Sequence, residues 1–101
     1  MESEYKLVKE ELAEQGFAKV YNYIAYELYA KDAADRLYLE YKNYLDIICR
    51  TPEICQVIGK YRRCVVNSKY IALYAVDKQN KIVIVHDFFG AQKNYMDEID
   101  K

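Results

Sequence analysis

The sequence predicts an α+β domain: an N-terminal strand and an antiparallel two-helix hairpin packed on a twisted, antiparallel-rich four-stranded sheet (β-α-α-β-β-β), with a short C-terminal tail. Three observations support this prediction. The last third of the chain holds three apolar runs of strand type, polar separators of hairpin length divide them, and two earlier segments repeat apolar residues every three or four positions. At 101 residues the chain is expected to form a single domain, residues 1–101.

The first strand and the first helix are expected near the N-terminus. The segment Tyr5-Lys6-Leu7-Val8-Lys9 alternates loosely, as a strand does. Gly16 costs a helix up to about 1 kcal/mol relative to alanine, so the helix is expected to fray or to begin later than residue 11. It is expected to run to residue 29, because its apolar positions wind onto one face: Phe17, Val20, Tyr21, Ile24 and Leu28.

A second helix is expected after the break at Ala30-Lys31. Asp32 is the predicted N-cap, because its carboxylate can accept the free amide hydrogens of the first turn. Thr51-Pro52 ends the helix, since proline lacks an amide hydrogen and disfavours helical geometry in the residue before it. The short turn between the helices predicts an antiparallel pair. The apolar face of the second helix comprises Ala34, Leu37, Tyr38, Tyr41, Tyr44, Leu45 and Ile48.

The remaining strands are expected at residues 61–66, 70–77 and 82–90, after a connector over residues 53–60. Asn67-Ser68-Lys69 and the polar residues 78–81 have the length of hairpin turns. The last two strands are almost continuously apolar, which predicts central strands covered on both faces or nearly so. Residues 91–101 are the predicted tail.

Composition narrows the class of protein. Hydrophobic residues make up 52% of the chain and charged residues 31%, as in soluble globular proteins. No apolar run approaches the roughly 18 residues that span a bilayer. The first residues lack the basic and apolar regions of a signal peptide, so we expect a cytoplasmic protein with no membrane role.

The residues that hold metals or cofactors are sparse. The three cysteines form no C-x-x-C pair and there is one histidine, so we expect reduced thiols, no metal site and no cofactor. The three glycines are scattered, which excludes a phosphate-binding glycine loop.

Charge is unevenly placed. Residues 60–93 carry seven basic and two acidic side chains, a net charge of +5, whereas residues 1–59 sum to −4. A basic β half can face a polyanion. Lysines on a solvated sheet edge, which discourage edge pairing, explain the same pattern equally well.

Taken by themselves, Arg62 and His86 are weak catalytic candidates. His86 could transfer protons near neutral pH, although packing or an exposed strand end explains it more simply. Alternation along a strand places Asp87 on the opposite side from His86, so Asp87 is not expected to orient the ring. Arg62 and Arg63 point to opposite faces of their strand, where either could bind phosphate or simply form an ion pair.

Tyrosine is abundant, with twelve tyrosines and no tryptophan. Tyr23, Tyr26 and Tyr29 fall outside the main apolar stripe of the first helix. Half-exposed tyrosines commonly anchor protein interfaces, so this cluster is the predicted partner surface.

Taken in order and spacing, several segments make the chain resemble the RelE/ParE superfamily, the toxins of bacterial type II toxin–antitoxin modules. The opening strand, the second helix closed by proline and the tail Asn94-Tyr95 with Ile99 belong to this resemblance. It also includes Val20-Tyr21-Asn22-Tyr23-Ile24-Ala25, Tyr61-Arg62-Arg63-Cys64-Val65-Val66, Tyr70-Ile71-Ala72-Leu73-Tyr74-Ala75-Val76-Asp77 and Phe88-Phe89-Gly90-Ala91.

The resemblance implies a cognate antitoxin that wraps the toxin in a hetero-oligomer. It implies DNA gyrase as the target in the ParE-like branch, or mRNA in the ribosome, bound on the concave sheet face, in the RelE-like branch. Because of the tyrosine cluster and the net charge of +5 over residues 60–93, we expect the antitoxin to lie over Tyr23, Tyr26 and Tyr29 and over the basic sheet. The target is expected at Arg62, Arg63, Lys93 and Tyr95.

Most of the basic residues that the RNA-cleaving branch uses are missing from the corresponding positions of this chain. Arg62 can stand at its first basic position, but Cys64 and Ile71 occupy the next two, and about Gln92, beside Lys93, the last. Tyr95 could replace a terminal tyrosine, so the resemblance adds Lys93 and Tyr95 to the weak catalytic candidates. Because positive charge stabilises the phosphorane-like transition state, enzymatic activity is left open. Inhibition of gyrase therefore ranks slightly above mRNA cleavage, and a non-toxic interaction module of the same fold is the third interpretation.

Overall fold

The computed structural model describes residues 4–90. Its elements follow the predicted order, with one additional strand. They are β1 (Lys6–Lys9), α1 (Glu11–Asn22) with a π-helical extension (Tyr23–Glu27), α2 (Lys31–Arg50), β2 (Gln56–Ile58), β3 (Tyr61–Val66), β4 (Tyr70–Asp77) and β5 (Ile82–Gly90). The predicted tail, residues 91–101, lies outside the described residues.

The strands form one sheet in the order β1-β5-β4-β3-β2. β1 pairs with β5 in parallel, and the other three neighbours pair antiparallel, which confirms the antiparallel-rich sheet. β4 and β5 are internal strands, as their continuous apolar sequences predict.

The additional strand β2 lies inside the predicted connector. It pairs with β3 across a two-residue turn, Gly59-Lys60, in which Gly59 has a φ of 63°. Glycine adopts this left-handed geometry without the Cβ penalty. With three residues, β2 is too short for alternation to reveal it in the sequence.

The helices lie antiparallel, as predicted. Phe17 of α1 stacks on Tyr41 of α2 with ring centroids 4.8 Å apart. One turn further along α1, the Tyr21 hydroxyl donates to Asp35, earlier in α2, over 2.5 Å. Contacts that move forward on one helix and backward on the other define an antiparallel pair.

The start of α1 differs from expectation, because the helix begins at Glu11 and includes Gly16. A Cβ at Gly16 would overlap the carbonyl oxygen of Phe88 in β5 and lie 3.2 Å from its carbonyl carbon. Gly16 therefore serves close packing of α1 on β5, and the fully buried Ala13 lies one turn earlier on the helix. This gain in packing outweighs the low helix propensity of glycine.

Both ends of the interhelical turn also differ from the sequence predictions. The π-helical turn rotates the end of the first helix, and Leu28, predicted to lie on its apolar face, is exposed. Asp32 is not the N-cap of α2: Ala30 holds that position without a side-chain hydrogen bond. Asp32 lies instead in the first turn, where a carboxylate is favoured by the helix dipole.

The main core lies between the helices and one face of the sheet. Phe88 is its centre, with Tyr41 4.7 Å and Phe17 5.2 Å away between ring centroids. A second buried cluster, Ile71, Leu73 and Phe89, lies on the opposite sheet face, with Ile58 and Tyr61 packed against it. Within residues 4–90, neither helix is long and apolar enough to cross a bilayer.

Candidate functional site

The two arginines of β3 are placed on opposite sheet faces, as predicted. Cys64 and Val66 of β3 pack in the main core, so strand alternation puts Arg62 on the helix side. Tyr61 belongs to the second cluster, and Arg63 shares its side. We call this side, away from the helices, the outer face.

Arg62 joins the connector to the sheet. Its Nη1 atom donates to the Cys55 carbonyl over 2.6 Å and to the Glu53 carbonyl over 3.2 Å. Glu53 in turn forms an ion pair of 2.6 Å with Lys78. This hydrogen bond with Lys78, more than its charge alone, lowers the pKa of the Glu53 carboxyl. Arg62 thus has a structural role in addition to any contact with a target.

Arg63 lies on the outer face, where its Nη2 atom donates to Gln56 Oε1 over 2.7 Å. Gln56 is its partner across the β2–β3 pair, so the two side chains leave the sheet together. Of the two arginines, Arg63 is the one that can meet a ligand on the outer face.

His86 lies on the same face and has two partners. Its ring stacks on Tyr61 with 4.9 Å between ring centroids and 15° between planes. Its Nδ1 atom is 2.8 Å from Glu10 Oε1. Glu10 is held nearby because its backbone amide donates to the Val85 carbonyl over 2.9 Å. A carboxylate at Nδ1 orients the ring and leaves Nε2 as the atom that can exchange a proton with a ligand.

A β-bulge explains why the partner of His86 could not be found from the strand pattern. Tyr74 is opposite Val85 and Leu73 is opposite Asp87, so His86 is the extra residue. Alternation along β5 is broken there, and the predicted opposite orientation of His86 and Asp87 does not follow. Asp87 is buried and accepts the Phe88 amide over 2.8 Å. Glu10 is the carboxylate that the structure places beside His86 Nδ1.

The positions where the RNA-cleaving branch has further basic residues are buried. Cys64 and Ile71 are each 2% exposed. Burial raises the pKa of the Cys64 thiol to about 12, so the group stays neutral. Neither side chain could be replaced by a cation in this packing without a large loss of solvation.

The tyrosine surface is exposed, as an interface requires. Tyr23, Tyr26 and Tyr29 expose 56%, 61% and 90% of their surface. Tyr29 has a φ of 53°, a left-handed conformation that glycine usually adopts at a helix end. The wide π-helical turn and this residue together present the rings outward.

A groove of about 390 Å³ borders the tyrosine surface. Tyr23 and Tyr70 line it, together with Lys19 of α1 and Lys69 of the β3–β4 turn. The groove therefore joins aromatic surface to positive charge, a combination that suits an acidic segment of a protein partner.

Two predicted site residues, Lys93 and Tyr95, lie outside the described residues. Among residues 4–90, no group of three or more His, Cys, Asp or Glu side chains could hold a metal ion.

Fold and surface together define a small α+β protein with a helix hairpin on one sheet face and a mixed basic and aromatic surface. The sequence profile of the family described as ParE toxin of type II toxin-antitoxin system, parDE, matches residues 8–95. The chain therefore belongs to the ParE toxin family, within the RelE/ParE superfamily that its sequence resembles.

A solved structure shares the fold. A chain of the chromosomal ParDE TA system from P. aeruginosa superposes with a TM-score of 0.70 at 10% sequence identity, covering 85% of this chain and 95% of that chain. A search of curated protein sequences finds no match.

Proposed function

We propose that this chain is a growth-inhibiting toxin that acts by binding DNA gyrase and is neutralised by a cognate antitoxin. Membership of the ParE toxin family supports the toxin class. The observation that favours a binding mechanism over RNA cleavage is the burial of Cys64 and Ile71, where cations would be needed to stabilise a transition state.

The target surface in this proposal includes Arg63 on the outer face, with Arg62, Lys93 and Tyr95 as further predicted contacts. Purified toxin, gyrase, ATP and supercoiled plasmid should yield linear DNA. Arg63→Gln should reduce that product because it removes a charged donor that both proteins would bury. Lys42→Gln, an exposed position on α2, is the matched control and should retain activity. Plasmid that stays supercoiled and uncut with the wild-type chain would reject gyrase as the target.

We place the antitoxin on Tyr23, Tyr26 and Tyr29 and in the adjoining lysine-lined groove. The support is the exposure of three aromatic rings beside two basic side chains. Alanine at all three tyrosines should weaken antitoxin binding by at least tenfold, because buried tyrosines are common hot spots. Tyr38→Ala, an exposed tyrosine of α2, is the control. Unchanged affinity of the triple variant, measured by calorimetry, would show that the antitoxin binds elsewhere.

Ribosome-dependent mRNA cleavage is the second candidate, and the His86–Glu10 pair is the observation in its favour. A translating extract with toxin should then give messenger cut at fixed codon positions. His86→Ala, Arg62→Ala or Tyr95→Phe should reduce the cuts, since each removes a candidate acid, base or cation. Intact messenger with the wild-type chain excludes this activity.

A non-toxic interaction module remains distinguishable from both. Expression of the chain without a partner should stop growth if it is a toxin. Normal growth at high expression would contradict both toxin proposals.

A further inference from the structure

Two of the three cysteines meet across the β2–β3 hairpin. In the register of this pair, Gln56 is opposite Arg63 and Val57 is opposite Arg62. Continuing the register by one residue places Cys55 directly opposite Cys64. Both side chains then lie on the helix side of the sheet, and Cys55 does pack against the main core that contains Cys64.

The hairpin geometry brings their backbones close enough for a bond. The turn Gly59-Lys60 is closed by Ile58 and Tyr61, and pairs beyond it alternate between hydrogen-bonded and non-hydrogen-bonded types. If the register continues to Cys55 and Cys64, this pair is of the non-hydrogen-bonded type, for which Cα atoms lie about 4.5 Å apart, within the range that a disulfide spans. The Cys55 carbonyl is free to accept the Arg62 guanidinium, as this type of pair allows.

We propose that Cys55 and Cys64 form a redox-responsive thiol pair, which a hydroperoxide converts into a disulfide that bridges β2 and β3. The two thiols are free, and Cys55 packs against the core cluster that contains Cys64. Disulfides in reducing compartments are mostly transient and sensory. Free thiols in the resting protein are therefore compatible with a disulfide that forms reversibly on oxidation.

The two thiols differ in access, which orders the steps. Cys55 is partly exposed, whereas Cys64 is buried. Cys55 Sγ attacks the hydroperoxide: an S–O bond forms, the O–O bond breaks, and the leaving oxygen takes the thiol proton as water or an alcohol. Cys64 Sγ then attacks Cys55 Sγ, so that an S–S bond forms, the S–O bond breaks and the sulfenic oxygen leaves with the Cys64 proton as water.

The Cys55–Cys64 disulfide would further fix the connector before β2, which several non-covalent contacts already hold. The Tyr74 hydroxyl donates to the Pro52 carbonyl over 2.8 Å, and Glu53 is paired with Lys78. These ties hold the connector before Cys55 near the sheet. The disulfide adds a covalent one at the exposed edge strand, next to the Arg62 side chain.

Peptide mapping of the folded full-length chain tests this proposal. After treatment with hydrogen peroxide, acid quenching, unfolding and alkylation, two of the three cysteines should resist alkylation. Trypsin without reductant should release one linked species, residues 51–60 joined to residues 64–69, and a dithiol should separate it. Cys49→Ala should keep the link and Cys55→Ala should lose it.

Chain unfolded in urea before oxidation supplies the comparison, since it should give a mixture of pairings. Several outcomes would overturn the proposal. These are the same mixture from the folded chain, a link that includes Cys49, a link between two chains, or Cys55 oxidised to an acid while Cys64 remains alkylatable.

Discussion

Gly16 shows how one residue can be chosen by a distant backbone rather than by its own helix. It lies where α1 crosses β5, and an added Cβ would meet the Phe88 carbonyl. The surroundings also decide whether the hydroxyls of Tyr41 and Tyr74 have a hydrogen-bond partner. Tyr74 has a hydroxyl with a partner, the Pro52 carbonyl, whereas the buried Tyr41 hydroxyl finds none among residues 4–90.

Gly16→Ala should lower the free energy of unfolding by about 1–3 kcal/mol, because overpacking at the Phe88 carbonyl exceeds the gain in helix propensity. Ala18→Gly, at an exposed position of the same helix, is the control and should lose about 1 kcal/mol from propensity alone. Urea unfolding measures both. Stabilisation by Gly16→Ala would contradict the close approach of α1 to β5.

Removal of the hydroxyl should change the free energy of unfolding differently at Tyr74 and at Tyr41. Tyr74→Phe leaves the Pro52 carbonyl without its donor and should cost about 1–2 kcal/mol of unfolding free energy. Tyr41→Phe removes an unpaired buried hydroxyl and should leave stability unchanged or raise it by up to about 1 kcal/mol. Thermal and urea unfolding of the two variants decide this, and equal losses would show that the Tyr41 hydroxyl is bonded.

Among the elements, the β3–β4 hairpin depends on two non-glycine residues in left-handed geometry. Asn67 and Ser68 have φ values of 56° and 59°, and the Lys69 amide donates to the Val66 carbonyl over 3.2 Å. The Asn67 amide also donates to Glu40 of α2 over 3.0 Å, so the turn is tied to the helix layer. Asparagine tolerates this conformation better than serine.

Ser68→Gly should therefore raise the free energy of unfolding by about 0.5–1 kcal/mol, the relief of left-handed strain less the added entropy of an unfolded glycine. Lys69→Gly gains no such relief, since Lys69 has no left-handed φ, and should lower stability. Chemical unfolding of the pair checks the turn geometry. A loss of stability in Ser68→Gly would contradict it.

At the scale of the whole molecule, burial in the main core keeps two tyrosine hydroxyls and two cysteine thiols in their neutral forms. It raises the pKa of the Tyr41 and Tyr74 hydroxyls above the ordinary 10.0, raises that of the Cys49 thiol, and raises that of the Cys64 thiol from 9.0 to about 12. Well below pH 9 the folded and unfolded chains both keep these protons. Above it the unfolded chain ionises first, so stability falls as pH rises.

The expected decline reaches about 1.4 kcal/mol per pH unit for each acid that is ionised only in the unfolded chain. Urea unfolding at a series of pH values from neutral to strongly alkaline measures it. Tyr41→Phe should make the decline shallower because it removes one of these acids. Tyr26→Phe, at an exposed position, should not. A stability independent of alkaline pH would show that these groups are accessible to water when folded.

Local periodicity in the sequence determines most of the secondary-structure elements and the fold class of this protein. The two helical stripes, the proline stop at the end of α2 and the apolar β4 and β5 all depend on neighbours within a few positions, so the α+β class follows from them. The off-stripe Tyr23, Tyr26 and Tyr29 are exposed for the same reason, and the order of these segments carries the family resemblance that the profile match confirms.

Tertiary structure decided the rest, because register and packing join residues far apart in the chain. The bulge in β5 and the backbone hydrogen bond of Glu10 create the His86–Glu10 pair, which strand alternation does not reveal. Strand pairing before a glycine turn creates β2, and the continuation of its register places Cys55 opposite Cys64. Neither contact produces a periodic pattern in the sequence, because each joins residues that only the assembled sheet brings together.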